Sequence, residues 1–411
     1  MRDTGGRIGR AAWRWRSPRI DSGSVARRLE VRLNRSDIEA VLDTVRRFAS
    51  REVAAMVGTE GRDGDLSRVP DLLEEADRIG LLASADPGSS GHEFGVWGRD
   101  SDVLDSVLML VELARACAGF AVLVHFCGLA AGELYDSGLT PRRAAVALFE
   151  DGWRLTGRGI SDPAAPPQRI RTVLDGDGSG GFVIAGEKSF VFGPIDVDGY
   201  VVYAADGDRW ARVFVPADAR GLTVEDVGLR TGLAACPCVR LKLDGVSVSG
   251  ADVLPARDPS GFLCRLWIGL AAVALGNAES ALDSACGYAG DRYQGCGEIR
   301  LHGAVRLLLG DAGSRTTAGR AALLSMAGSL QADLDRRRTD ALVAAASAKL
   351  RIVSDCLQAV TDCLQVLGGY GYMEDFRMEK RLRDALTLQS MCTRPDDLRL
   401  LISQLAWDRR R

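Results

Sequence analysis

The chain has 411 residues, 46% of them hydrophobic, which is long enough for two or three packed units around a large shared core. Its 52 basic and 55 acidic residues leave a net charge of -3, which excludes the strong basic field of a typical nucleic-acid binder. No apolar run reaches membrane-spanning length, the best being Leu266 to Leu275 before Gly276, Asn277 and Glu279, so no membrane partner is expected.

The first 35 residues are crowded with arginine, including Arg14, Arg16, Arg27 and Arg28, and read as a flexible extension. Order is expected from Ser36, where Ser-Asp-Ile-Glu39 forms a capping box ahead of an amphipathic helix presenting Ile38, Val41, Leu42, Val45 and Phe48. Helical spacing returns from Asp71 to Leu82 and at Leu104, Val107, Leu108 and Val111, so residues 36–153 read as an N-terminal helical domain. Residues 154–252 change character. Phe182-Val-Ile, Tyr200-Val-Val-Tyr, Val213-Phe-Val and Val239-Arg-Leu-Lys-Leu are short strand-like runs between Gly/Asp turns, as in an antiparallel β domain. Residues 253–411 return to long Ala/Leu-rich helical stretches, interrupted at Gly368-Gly369-Tyr370-Gly371, and read as a bundle.

The ten cysteines include no CxxC pair, which suits reduced thiols in a cytoplasm. Cys236 and Cys238 lack a second ligand pair, and the histidines are limited to His92, His125 and His302, so no metal site is expected.

Several strings are distinctive. They are Gln365-Val-Leu-Gly-Gly-Tyr-Gly-Tyr372, Glu379-Lys-Arg-Leu-Arg-Asp-Ala385, Gly186-Glu-Lys-Ser-Phe190 and Tyr288-Ala-Gly-Asp-Arg-Tyr-Gln294. With the order of elements, they resemble the acyl-CoA dehydrogenase family from about Ile38 to Leu401. The resemblance implies an α+β multidomain fold: an N-terminal helical domain, a central antiparallel β domain and a C-terminal four-helix bundle. It implies FAD between the β domain and the bundle. The flavin contacts would fall at Ser161, Phe190 and Phe192, and the diphosphate would meet Arg292 and Gln294. The adenosine end would reach Gln365, Gly368 and Gly369 of a neighbouring subunit in a homodimer or homotetramer. The implied substrate is an acyl-CoA or acyl-carrier-protein thioester, with His125 and Tyr372 near its pocket, although read from the residues alone a satisfied core histidine is the favoured role for His125.

The same comparison exposes departures. The family's base is a glutamate that removes the α-proton while hydride leaves the β-carbon for the flavin. Its position falls on Cys392, and the alternative position on the first bundle helix falls on Leu266 or Trp267, preceded by Cys264 and Arg265. Asp396, Asp397 and Glu279 read as solvated helix-face acids. Cys392 could act as a nucleophile only if Arg394 lowered its pKa; a buried inert thiol is the default. The loop Ser161-Asp-Pro-Ala-Ala-Pro-Pro-Gln168 lacks the family's glycines, and Phe192 stands where a hydroxyl would meet the flavin. Each lost polar contact is worth about 0.5–1.5 kcal/mol, which weakens FAD binding. The preferred reading is a divergent FAD-dependent oxidoreductase acting on an acyl thioester in bacterial specialised metabolism. The alternatives are a flavin-independent elimination, isomerisation or cyclisation enzyme, a non-catalytic subunit, or a flavin monooxygenase.

Overall fold

The computed structural model describes residues 35–58, 62–89, 91–152, 170–178, 180–228, 230–257, 259–295, 297–336 and 338–408. The Arg-rich extension and Ser161 therefore lie outside the described residues.

The first helix described, α1 (Arg35–Phe48), already includes Ser36, so that residue lies within the helix and not ahead of it. It continues through a π-helical turn, Ala49–Val53, into α2 (Ala54–Val57). Leu42, Val45 and Phe48 are buried as the periodicity predicts, whereas Val41 stays 41% exposed at the edge of the stripe. Helix α3 (Val69–Arg78) begins with Pro70 in its first turn, where no amide is needed. After the single turn α4 (Gly91–Phe94) come α5 (Val103–Ala116) and α6 (Ala118–Leu134), separated only by Cys117 in an extended conformation. Nearly every residue of α6 is buried, so it is an interior helix with no polar face.

Among the described residues the sheet has seven strands: β1 (Ala144–Ala147), β2 (Val173–Gly176), β3 (Phe182–Phe192), β4 (Gly199–Asp206), β5 (Arg209–Pro216), β6 (Leu222–Asp226) and β7 (Cys238–Val248). Their order is β1-β4-β2-β3-β7-β6, with β5 added on β4. Pairing is mostly antiparallel, but β1 runs parallel to β4, with Ala144 opposite Gly199. This strand lies ahead of the expected domain boundary at 154, because Ala-Ala-Val-Ala carries little β-propensity and is a strand through its burial against β4. One face of the sheet builds its own cluster around Val202, Val213, Val215, Leu241 and Val246. The opposite face contributes Val201, Tyr203, Phe192 and Trp210 to the core shared with the helices.

The bundle comprises α7 (Ser260–Asp291), α8 (Gly303–Arg336), α9 (Arg338–Leu367), α10 (Met378–Ser390) and α11 (Pro395–Asp408). A small hairpin, β8 (Tyr293–Gln294) and β9 (Gly297–Glu298), links α7 to α8. By length and composition α7 could cross a bilayer, contrary to the sequence-based expectation, but 89% of its most apolar window is buried inside the fold.

A buried ionic trio joins α6 to the sheet. Arg212 of β5 donates to the Glu133 carboxylate at 2.6 Å and to the Glu133 carbonyl at 3.0 Å, and the Tyr203 hydroxyl donates to the same carboxylate at 2.7 Å. Arg212 also donates to the Pro255 carbonyl at 2.5 Å, which ties in the segment leading to α7. Removing one partner of such a pair strands the other charge. Arg212→Leu is expected to lower unfolding free energy by about 3–5 kcal/mol in chemical denaturation. Adding Glu133→Gln should recover a large part of that loss.

Candidate active site

The two positions at which the sequence comparison seeks a carboxylate come together in space. Between α10 and α11 the chain turns at Met391 to Arg394, with Cys392 in the left-handed region at φ 62°. The Trp267 indole of α7 donates to the Thr393 hydroxyl at 3.0 Å, so α7 and this turn share one buried layer. From α9, the Lys349 ammonium donates to the Thr393 carbonyl at 2.8 Å and to the Gln389 carbonyl at 3.4 Å.

The next residue of that layer, Leu266, offers its carbonyl to His125. The His125 Nε2–H donates to it at 3.2 Å, while Nδ1 accepts from the Trp97 indole at 2.8 Å. Both ring nitrogens are thus committed, and the Trp97 bond fixes the neutral tautomer. Burial drives the His125 pKa down to about 3, against the opposing pull of the Leu266 carbonyl. The imidazole sits over Gly269, where a Cβ would come within 2.2 Å of its ring. His125 is therefore a wedge between α6 and α7, not the wall of an open substrate pocket.

Burial pushes the Cys392 thiol well up, and the nearby positive charge opposing it is Lys349, not Arg394. Burial also brings the Lys349 ammonium down to about 8. At neutral pH the layer therefore holds a thiol, not a thiolate, and gives no activated nucleophile. Of the acids considered as replacements, Asp397 is buried and not the solvated helix-face acid expected, and the other two are engaged elsewhere. Asp396 pairs with Arg399 at 2.8 Å, and Glu279 is gripped by Arg320 at 2.7 and 2.6 Å. Among the described residues no set of His, Cys, Asp and Glu is arranged to hold a metal ion.

On the sheet side, Lys188 of the Gly-Glu-Lys string is fully buried and donates to Glu150 at 2.8 Å. Glu150 also accepts from the amides of Arg171 at 2.7 Å and Thr172 at 3.1 Å. Burial raises the Glu150 carboxyl, but Lys188 and these donors outweigh it and hold it below its usual value. A register shift between Lys188 and Val191 breaks the strand's alternation. Phe190 is consequently 44% exposed while Phe192 turns inward, its ring 5.2 Å from that of Phe126 on α6. Phe192 thus fills core space at the position where a flavin-facing hydroxyl was sought.

The remaining expected residues lie on the far side of the bundle. Arg292 follows α7, and its guanidinium lies 5.6 Å from the Tyr370 ring centroid. Tyr288, Tyr370 and Phe376 form the aromatic cluster beneath it. Gln294, Gln365, Gly368 and Gly369 are all exposed, and Gly368 takes φ 57° as α9 gives way to a 3-10 turn. Tyr372 is 64% exposed beside them, so the structure separates it from His125, its expected neighbour in a pocket.

The Arg-Asp-Ala string has a role that the sequence reading missed. Arg383 binds Glu379 at 2.6 and 3.1 Å, Asp63 at 2.8 Å, and the carbonyls of Thr231 and Arg62 at 2.9 and 3.0 Å. Asp384 accepts from the Leu233 amide at 2.6 Å and from Lys380 at 2.8 Å. Gly232 lets the loop pass α10, since a Cβ there would lie 2.4 Å from the Arg383 carbonyl oxygen. These side chains clamp the bundle to the sheet and the N-terminal helices.

A family model described as the acyl-CoA dehydrogenase N-terminal domain matches residues 35–140, and one described as the C-terminal domain matches residues 265–391. An acyl-CoA dehydrogenase of Bacillus subtilis is 26% identical over 375 residues, covering 88% of this chain and 95% of its own. The solved structure of butyryl-CoA dehydrogenase from Megasphaera elsdenii superposes with a TM-score of 0.74 at 21% identity, over 91% of this chain and 99% of that one. A prolyl acyl carrier protein oxidase superposes with a TM-score of 0.72 at 17% identity, over 91% and 100% of the two chains.

The neutral His125 gives stability a pH dependence. The unfolded imidazole takes up its proton below about 6.5, whereas the folded one resists until about 3. This contribution is fully present above the unfolded pKa and is lost as pH falls from there toward 3. Urea denaturation across that range should show falling stability. His125→Gln, which does not titrate, should give a shallower slope.

Proposed function

Because the chain belongs to the acyl-CoA dehydrogenase family, we propose that it is an FAD-dependent oxidoreductase acting on an acyl thioester carried by CoA or an acyl carrier protein. One observation carries the cofactor reading. Arg292 is exposed, rests on an aromatic ring, and has no carboxylate partner among the described residues, next to the exposed Gln294. A guanidinium left unpaired in this way suits a diphosphate, which it can meet with two parallel hydrogen bonds. Gln365, Gly368 and Gly369 stand open, and no atom lies within 4 Å of a Cβ added at either glycine, which leaves room for a nucleoside. FAD, when bound, supplies hydride-transfer chemistry.

The chain's own residues fit the two ends of that cofactor unequally. The diphosphate and adenosine end fits. At the ring end Phe192 offers no hydrogen bond and packs on Phe126, so a bound ring would have to be held by the backbone of β3 and by contacts outside the described residues. The turn at Cys392 is held rigid by Lys349 and Trp267, while neither this turn nor the facing stretch of α7 offers a carboxylate. Proton transfer in this protein therefore departs from the family's glutamate-based scheme. The exposed Tyr293, Leu301, Leu307 and Tyr372, each more than 60% accessible, support assembly as a homodimer or homotetramer through this face. Reduced cysteines support a cytoplasmic setting, and the eroded contacts support a specialised acyl group and not general fatty-acid turnover.

The inward Phe192 and the fully buried Trp267 favour a second reading, in which the fold works without flavin. The absorption spectrum of protein purified without added cofactor, and again after incubation with FAD and desalting, separates the two. Stoichiometric flavin bands are expected, and Arg292→Ala should weaken FAD binding about ten-fold, as loss of one charge-assisted hydrogen bond implies. A protein that stays colourless after both treatments overturns the first reading and leaves the second.

A further inference from the structure

A groove of about 860 Å³ lies apart from both regions described so far, walled by α1 with its π-helical turn, the end of α5, the middle of α7 and the start of α10. Ser280, its contribution from α7, lies roughly 16 Å along the helix from Asp291 and the Arg292 region, at 1.5 Å per residue. We propose that this groove binds a phosphate-bearing small molecule.

Charge is the first argument. Arg46, Arg47, Arg115, Arg377 and Arg381 line the groove against only two lining carboxylates, Asp43 and Glu112. Both of those acids are taken by Arg46, at 2.9 and 3.1 Å. Arg115 is answered from outside the lining by Glu279 at 3.2 Å and by Asp283. Arg377 is engaged as well, and two guanidinia are left over. Arg47 donates to the Thr44 hydroxyl at 3.0 Å, and Arg381 makes only long bonds of 3.4 Å to the Arg115 carbonyl; neither meets a carboxylate among the described residues. Burial disfavours the charge on Arg381, and an incoming anion would relieve that penalty.

Backbone geometry is the second argument. Helix α10 starts at Arg377, held at φ 55°, with no side chain capping its first turn, so its amides and the positive end of its dipole are available beside the two arginines. On the opposite wall the helix passes through the π turn Ala49–Val53, a widening found mostly at functional sites. Ala49, Ala54 and Val57 give the groove a small apolar floor for the organic part of a ligand. Its size falls in the range of small-molecule sites, about 300–1,000 Å³. Guanidinium forks together with helix amides suit a phosphate, whose several oxygens can meet both sets of donors at once.

The test is calorimetric titration of the full chain with inorganic pyrophosphate, with citrate as a polycarboxylate of similar charge. Arg47→Ala, a surface change, and Arg381→Lys, which keeps the charge, are each expected to weaken pyrophosphate binding about ten-fold, with the thermal unfolding midpoint of the free protein little changed for Arg47→Ala. Arg292→Ala serves to separate this groove from the proposed FAD region and should leave the groove's binding in place. No binding of pyrophosphate at millimolar concentration overturns the proposal. So does binding lost in Arg292→Ala but kept in Arg47→Ala, or citrate binding as tightly as pyrophosphate.

Discussion

A helix stretch without a polar face must be covered on every side, and the first half of α7 is such a stretch. From Phe262 to Ala278 nearly every side chain is buried, including Trp267, one of the largest fully buried residues in the protein. Covering it takes α5 and α6 from the N-terminal part and α8, α9 and α10 from the bundle. Contact this close depends on glycines facing neighbours. Gly269 admits the His125 ring, and Gly276 admits the backbone of α5, where a Cβ would lie 2.2 Å from the Val111 carbonyl oxygen. The helical units are therefore halves of one core, and neither would bury its share of α7 alone.

That burial dictates the electrostatics of the candidate active site. A layer this dry accepts polar groups only when they are neutral or locally paired. His125 is kept neutral between an indole and a carbonyl, Lys188 is matched to Glu150, and Lys349 is satisfied by two backbone carbonyls. A carboxylate at Cys392 or Trp267 would need its own compensation, and the cation held against the turn among the described residues, Lys349, has donors that already serve the turn itself. The same dry packing that accommodates Trp267 and Phe192 leaves an uncompensated acid no place in this layer.

The sequence made much of the fold legible because its evidence was local. Periodicity located the helices, and Gly-Glu-Lys and Gly-Gly-Tyr-Gly-Tyr marked particular turns and strands. It failed where the deciding contact was distant. Ala144 to Ala147 form a strand only because β4 lies beside them. Phe190 and Phe192 sit two apart and would share a strand face, yet the register shift sends one out and the other in. Asp384 belongs to a string that carries the family resemblance, but its carboxylate is spent on the Leu233 amide and Lys380, contacts that no local pattern announces. The arginine groove was invisible for the same reason, since its cations come from α1, α5 and α10, which are far apart in the chain.

The two ends of the implied cofactor region answer to different constraints. Arg292, Gln294 and the Gly368 turn lie on the surface, where nothing in the packing fixes their identity. Phe192 and Trp267 lie inside, where volume is set by α6 and α7. Had the fold simply lost its ligand, the surface residues would have been the cheapest to change, because substitutions there cost little stability, usually within about 0.5 kcal/mol. Instead the unconstrained end keeps an unpaired arginine on an aromatic ring, and the packed end has been rebuilt. That pattern fits the proposed function, in which the reacting centre differs from the family's while the handle for a phosphorylated ligand stays, and in that reading the difference lies in the layer between α6, α7 and the Cys392 turn.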